Sequence, residues 1–364
     1  MIKVVQPGLL TTVQDEGRTD FLAFGMPRAG VMDRYAARMA NLLCGNPLGA
    51  AVLEMTVIGG SYRFLVAARI AVCGANMPLS LNGETVSAWG AVDVRPEDVL
   101  EIGAADTGCR AYLAVAGGIE VPLVMSSRST YYRAGIGGFA GRALKADDEL
   151  PIGNPMPIFA APIRLPAAWI PEYSEQIEVR ILPGPQRHLF SASGWKTLLS
   201  TRYTVTDEAD RMGYRLDGEK VEHLNGPDIV SDALTPGAIQ VPGSGQPIIM
   251  MADCGTTGGY AKIATVIGSD LAKIGQAKPQ DYLSFIECSY EEAVAALGEE
   301  MERYRQVAEW TARGKTPQLV DVGSTNILPN QSEQLTSQQE NSPVRRLTLS
   351  IDGKNYKVEI EEVM

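Results

Sequence analysis

The feature that most constrains this chain is its punctuation: short β-branched or alternating apolar runs are broken repeatedly by Gly, Pro, Asn-Gly and Asp-Gly, with 37 glycines and 22 prolines among 364 residues. Such spacing suits a barrel or sandwich and does not suit alternating βαβ units. The predicted class is mainly β with few helices. Candidate strands are 69–73, 79–81, 111–116, 178–181, 248–251 and 282–285. Asn82-Gly83 is a hairpin signal, because the tight turn between two strands needs positive φ at both central residues.

Three helices are expected. Asp33 is placed to cap one in which Ala36, Met39, Ala40 and Leu43 recur at helical spacing until Gly45-Asn46 ends it. Ser191 or Ser193 opens a short second helix through Trp195, Leu198 and Leu199. The clearest is 289–313, where Ser289 and Glu292 form a capping box and Gly314 with Pro317 marks the exit. A weak internal echo relates Arg95-Pro96-Glu97-Asp98 to Lys278-Pro279-Gln280-Asp281, with Lys145-Ala146-Asp147-Asp148 as a poorer third copy. Such residues favour turns anyway, so an internal repeat and chance recurrence both stay open. The Pro-rich stretch 154–171 reads as a connector between β subdomains 1–160 and 172–288, followed by the C-terminal helix and its exit, 289–322. Segment 323–343, dominated by Ser, Thr, Asn and Gln, reads as a flexible linker. Residues 344–364 read as an isolated hairpin, which is marginal in water by itself.

A formal net charge of −11 argues against the basic surface that phosphate-dominated nucleic-acid binding needs. The N-terminal residues lack the apolar core of a signal peptide and no stretch reaches bilayer-spanning length, so no membrane association and a cytoplasmic location are expected. Cys44, Cys73, Cys109, Cys254 and Cys288 are widely separated, odd in number and in no CxxC pair, which points to reduced thiols. His188 and His223 are the only histidines, too few for a multi-histidine metal centre, and no metal is expected. Chemistry therefore falls to carboxylates, Arg, Lys, Tyr, Thr and backbone amides.

Several segments together resemble one family. They are Pro7-Gly8-Leu9-Leu10-Thr11-Thr12-Val13-Gln14-Asp15-Glu16-Gly17-Arg18, Gly30-Val31-Met32-Asp33, Tyr112-Leu113-Ala114-Val115-Ala116-Gly117-Gly118 and Tyr131-Tyr132-Arg133-Ala134-Gly135-Ile136-Gly137-Gly138. Further along come Asp210-Arg211-Met212-Gly213-Tyr214, Gly237-Ala238-Ile239-Gln240-Val241-Pro242 and Thr256-Thr257-Gly258-Gly259-Tyr260 followed by Lys262-Ile263-Ala264. In order, across about residues 1–290, they resemble the allophanate hydrolase subunit 2 family, which includes the KipI antagonist KipA and the C subunits of 5-oxoprolinase. The resemblance implies two cyclophilin-like β-barrel subdomains. It also implies a component, inactive alone, that works with a KipI-like B subunit and a YcsF-like A subunit. That assembly opens the lactam of 5-oxo-L-proline to L-glutamate at the expense of ATP, which a partner is free to bind; homo-oligomerisation stays open. Related domains form the carboxyltransferase part of urea carboxylase, which moves CO₂ from carboxybiotin to urea, and the KipA name implies a third role as antagonist of a KipI-like sensor-kinase inhibitor. Relatives often carry Arg-Gln where this chain has Cys254-Gly255, a departure that weighs against the carboxyltransferase reading. The tail looks like the opening hairpin of a biotin carrier domain, yet no Met-Lys-Met motif for a biotinyl lysine occurs.

An unreactive amide is activated only if preorganised donors meet the charge developing on its oxygen, or if that oxygen is phosphorylated first. Thr256, Thr257, Gly258, Gly259 and Tyr260 offer clustered hydroxyls and amides able to approach a ligand; as plain structure they are a Gly-rich strand connection. Arg133, just before Gly137 and Gly138, offers a forked cation beside backbone amides for a carboxylate or phosphate, or is an ordinary loop. Gln14, Asp15 and Arg18 cluster after the first strand, where Asp15 and Arg18 are alternatively a surface pair. Asp33 is either a site member or a helix cap. Arg211 is a candidate for the substrate carboxylate and Tyr214 for a hydrogen bond, while Asp253 and Lys262 are acid–base candidates. Gln240 joins the substrate-binding set through its family segment.

Overall fold

Turn chemistry organises the molecule. Asn82 and Gly83 take φ values of 53° and 85°, and the strands they join, Leu79–Leu81 and Glu84–Thr85, pair Ser80 with Thr85 and Leu81 with Glu84. The echoed segments are one turn built three times. In each, the first residue's amide donates to the aspartate carboxylate: Arg95 to Asp98 at 2.7 Å, Lys145 to Asp148 at 2.7 Å and Lys278 to Asp281 at 2.9 Å. The third residue enters the left-handed region, Glu97 at 73°, Asp147 at 68° and Gln280 at 75°. Its amide then donates to a neighbouring chain segment, at Phe64, Val4 and Val205 respectively.

The computed structural model describes residues 1–154, 162–313, 344–351 and 354–361, in two compact units, Met1–Gln318 and Leu319–Met364. In the first unit the early strands form two sheets. One runs Glu149–Leu150, Ile2–Gln6, Ser61–Phe64, Val99–Ile102, Leu79–Leu81, Glu84–Thr85 from edge to edge. The other runs Leu10–Gln14, Val52–Thr56, Thr107–Val115, Ala68–Asn76, Ala91–Val94. Thr107–Val115 is buried on both faces. Ala111, Leu113 and Val115 enter the core shared with Ile2, Val4, Tyr62 and Phe64, while Tyr112 and Ala114 enter a second core with Ala36, Met39 and Leu43.

The later strands close into a seven-stranded barrel in the order Gln176–Pro183, Lys262–Val266, Ala238–Gln240, Ile248–Met250, Gly213–Asp217, Tyr203–Val205, Tyr282–Glu287. Closure comes from parallel pairing of Gln176–Pro183 with Tyr282–Glu287, so this sheet has no open edge. Val179, Ile181, Tyr203, Leu216, Ile239, Ile249 and Leu283 fill it. A mainly β chain with few helices is what the punctuation predicted. Closure into a ring is found in the later strands, and the earlier ones lie as two sheets over one core.

Four α-helices occur among the described residues: α1 (Arg34–Leu43), α2 (Ala192–Ser200), α3 (Leu271–Gly275) and α4 (Tyr290–Arg313). The Asp33 carboxylate accepts the Ala36 amide at 2.9 Å and Ser191 Oγ accepts the Gly194 amide at 2.8 Å, as caps do. At α4 the capping box is complete, Ser289 N–H to Glu292 at 2.7 Å and Glu292 N–H to Ser289 Oγ at 3.1 Å. α3, five residues long with no capping side chain, offers no periodicity to predict from. No helix among the described residues is long and apolar enough to cross a membrane. In the second unit, Val344–Ile351 pairs antiparallel with Lys354–Glu361, Leu347 opposite Val358. Gly314, Pro317 and the linker 323–343 lie outside the described residues.

Candidate functional site: a cleft backed by a buried ionic network

Arg133 and the rim of the barrel share a cleft of about 730 Å³ whose lining includes Met212, Gln240, Cys254, Gly255 and Tyr260. Arg133 reaches it from the long connection between strands Thr107–Val115 and Glu149–Leu150 and touches the Met212 sulfur. Gln240 lies in the barrel strand opposite Lys262 and donates its amide to the Tyr260 carbonyl at 3.1 Å. That approach explains Gly258: a Cβ there would stand 2.6 Å from Gln240 Nε2. The Thr256–Tyr260 run is not a free loop, since Thr257–Tyr260 pairs with Asp228–Ala233 in a short ribbon, Asp232 opposite Gly258 and Ala233 opposite Thr257, and the Thr256 carbonyl accepts the Leu234 amide. Thr257 and Tyr260 are exposed and Gly259 is half-buried. Cys254 is no neutral-pH nucleophile, because burial pushes its thiol up to about 12.

Beside the ribbon, Lys262 is only 3% exposed, and its ammonium meets the Asp232 carboxylate at 2.8 Å. Gln186 adds its amide to the same carboxylate at 3.1 Å. The bond from Lys262, with help from the Ala233 amide and Gln186, holds Asp232 down to about 2. A buried ammonium whose one carboxylate faces solvent is a charge that a polarised carbonyl oxygen can borrow.

Behind the cleft lies a buried network. Arg211 donates to Asp253 through Nε at 3.0 Å and Nη2 at 2.8 Å, to the Gly30 carbonyl at 2.6 Å, and through Nη1 to Glu54. Burial works against its charge, yet Asp253 and Glu54 overbalance that and raise its pKa. Glu54 also accepts from Met32 N–H at 2.8 Å and from the Tyr112 hydroxyl at 2.9 Å. The Tyr112 oxygen in turn accepts the Asp33 amide at 2.8 Å. Asp33 is fully buried, and desolvation pushes its carboxyl up to about 6 despite bonds from Ala36, Gln276 and Tyr173. Gln276 spends both ends of its amide, accepting from the Cys109 and Arg110 amides at 3.0 and 2.9 Å and donating to Asp33 at 2.7 Å and the Arg110 carbonyl at 2.9 Å. Tyr214, 2% exposed, accepts from Arg110 at 2.8 Å and donates to the Ala277 carbonyl at 3.1 Å.

A third group buttresses the Arg133 loop. Asp15 accepts from Ser127 at 2.6 Å, from Ser129 Oγ, from the Gly17 amide at 2.8 Å and from the Arg128 amide at 2.5 Å. Arg18, 1% exposed, gives Nη2 to the Ser129 carbonyl at 2.5 Å, and burial lowers its pKa against the pull of Asp15 and Asp253. Gln14 donates to the Thr130 carbonyl at 3.0 Å. Gly137, at φ +70°, fits because it has no Cβ, which would sit 2.3 Å from the Ser129 carbonyl. Gly138 is similarly pressed on Thr130.

The structure thus sorts the predicted residues by position. Arg133, Gln240 and Tyr260 line the cleft; Gly258, Gly259, Thr256, Thr257 and Lys262 form or flank its ribbon. Gln14, Asp15, Arg18, Gly137 and Gly138 hold the loop that carries Arg133. Arg211 and Tyr214 do not line the cleft, because their polar atoms are taken up by Asp253, Glu54, Arg110 and Ala277. Asp33 caps α1, and Asp253 is a buried counter-ion. Sequence reading missed Glu54, Arg110, Gln276, Asp232 and Gln186. Glu54 alone gave a signal, an acid inside the apolar run Val52-Leu53-Glu54-Met55, where burial demands a partner.

Comparison with known proteins agrees with this architecture. The family described as carboxyltransferase domain, subdomain A and B, matches residues 24–287. The C subunit of 5-oxoprolinase from Escherichia coli is 36% identical over 308 residues, 85% of this chain and 98% of that protein. The protein of the same name from Haemophilus influenzae is 35% identical over 297 residues, 80% of this chain and 93% of its own length. Among solved structures, the urea amidolyase of K. lactis superposes with a TM-score of 0.80 at 27% identity over 99% of this chain, which spans only 22% of that larger protein. With its domain match running from the loop before α1 to the last barrel strand, the chain belongs to the carboxyltransferase domain, subdomain A and B, family.

Proposed function

We propose that this chain is the C subunit of an ATP-dependent 5-oxoprolinase, the component whose cleft holds 5-oxo-L-proline while its lactam is opened to L-glutamate. The observation that carries the reading is coverage: the chain matches 98% and 93% of two proteins named as the C subunit of 5-oxoprolinase, but only 22% of a urea amidolyase. The cleft suits the substrate's chemistry. Arg133 offers a forked cation for the carboxylate. We assign the ring carbonyl to Gln240 and Tyr260, which line the cleft, with Lys262, on the strand opposite Gln240 and outside the lining, adding positive charge as that oxygen gains electron density or accepts a phosphoryl group. With the γ-phosphoryl group of ATP on that oxygen and ADP released, water attacks the activated carbon, the C–N bond breaks so that the nitrogen leaves as the amine of glutamate, and a second water hydrolyses the resulting acyl phosphate to the carboxylate and inorganic phosphate. Partners resembling KipI and YcsF complete the assembly, ATP is consumed by the whole, and the site of action is the cytoplasm.

The test is reconstitution. The chain alone should release no ADP, and the three-component mixture should release ADP in proportion to added 5-oxoproline. Arg133→Ala should raise KM, and Lys262→Met should lower kcat by about 10²-fold, the usual cost of one transition-state donor. A complete mixture without 5-oxoproline-dependent ADP release defeats the proposal. The carboxyltransferase reading draws support from the superposition on urea amidolyase, and carboxylation of urea by the same mixture with a biotinylated carrier would favour it instead.

A further inference from the structure

A second cavity, about 510 Å³, shares no lining residue with the cleft. At its inner end is Asp33, 1% exposed, whose second carboxylate oxygen, the one not capping α1, accepts from Gln276 at 2.7 Å and the Tyr173 hydroxyl at 3.3 Å. No ion pair joins Asp33 to a cation among the described residues. The aromatic groups Tyr35, Trp169 and Tyr173 line the space. Two of its basic groups, Arg180 and Lys273, close on Asp270 at 2.8 and 3.2 Å, and the third, Arg303, hydrogen-bonds Tyr35 and is outnumbered by Glu299 and Glu300 in the same lining. Glu172 and Glu178 line the same space, exposed and with no ion pair among the described residues.

A concave site with a buried uncompensated carboxylate, aromatic faces and surplus acid attracts cations and repels carboxylates. An acidic lactam is the wrong ligand for it. We propose that this cavity binds a small organic ammonium compound, with the charged nitrogen at the Asp33 carboxylate and its alkyl part against Trp169 and Tyr35. The inference does not depend on the lactam chemistry proposed for the cleft. Desolvation of Asp33 adds to the case, because an arriving ammonium relieves it.

The experiment uses the full chain and butylammonium, with butyrate and butanol as shape-matched controls, read by calorimetry and by tryptophan fluorescence. Trp169 lines the cavity and stacks on Trp310 with ring centres 4.8 Å apart, so occupancy should alter emission. Butylammonium should give a saturable signal that neither control gives. Asp33→Asn, which keeps the helix cap, should weaken binding about tenfold or more, as loss of one charge-assisted contact does. Glu172→Gln with Glu178→Gln, both at exposed positions, should weaken it roughly threefold through lost long-range attraction. Absence of a saturable butylammonium signal overturns the proposal, as does an equal response to butyrate. If Asp33→Asn does not fold, unchanged affinity in the double glutamate variant is likewise fatal.

Discussion

Replacing Arg211 by Leu is the most informative single perturbation of this molecule. Arg211 donates four hydrogen bonds to three buried acceptors, the Asp253 and Glu54 carboxylates and the Gly30 carbonyl. Glu54 comes from the two-sheet half and Asp253 from the barrel half, exposed by 2% and 3% respectively. Leucine fills much of the space but strands two carboxylates. Breaking one buried pair costs about 3–5 kcal/mol, so stranding two acids places the loss toward the upper end. Against a total stability of about 5–15 kcal/mol that is a large fraction. Urea unfolding followed by tryptophan fluorescence would show it as a midpoint lower by more than about 1 M, for a slope of about 3 kcal/mol/M. The loss should also depend on pH. A buried carboxylate without a cation costs more charged than neutral, so the penalty should be larger at pH 8 than at pH 5. Adding Glu54→Gln and Asp253→Asn should recover part of the loss by removing the stranded charges. A loss under about 1 kcal/mol, or one that is the same at pH 5 and pH 8, would refute the reasoning.

Asp33 should leave its own mark on the pH profile. Its folded carboxyl is pushed from 3.8 up to about 6, so the unfolded chain gives up that proton first as pH rises. Stability should therefore fall through the window 3.8 to about 6 and stay flat above it, by an amount on the order of 3 kcal/mol. Thermal melts of Asp33→Asn over the same range should lack that slope, though Asn sets an amide against the Gln276 amide and should melt lower than wild type at pH 4. Gly137→Ala should cost at least about 2 kcal/mol in urea unfolding, since positive φ and contact with the Ser129 carbonyl add together. Gly25→Ala is the control: its φ is +80° but nothing lies within 4 Å of a Cβ, so only the conformational cost of about 1 kcal/mol should appear.

Local chemistry made much of the fold legible. Asn82-Gly83, the Asp33 and Ser191 caps and the Ser289–Glu292 box each specify a turn or terminus from residues close in sequence, and each is found. The Pro-x-Asp echo carried more than its residues revealed, because the shared feature is a left-handed third residue docked on another strand, visible only in three dimensions. The site was legible in membership and much less so in role. A list of polar residues does not say which are used up internally, and Arg211 and Tyr214 are satisfied by partners far away in the chain. Gln276 left no trace in the sequence, since its importance comes from a strand 166 residues away.

That glutamine has a consequence for how the protein is made. The two ends of its side-chain amide stand in for a missing strand neighbour by pairing with the backbone of residues 109 and 110. During synthesis this central strand emerges from the ribosome long before Gln276 does. Until then its backbone groups face water or the wrong suitor, and the nascent first half waits unfinished for the second to arrive.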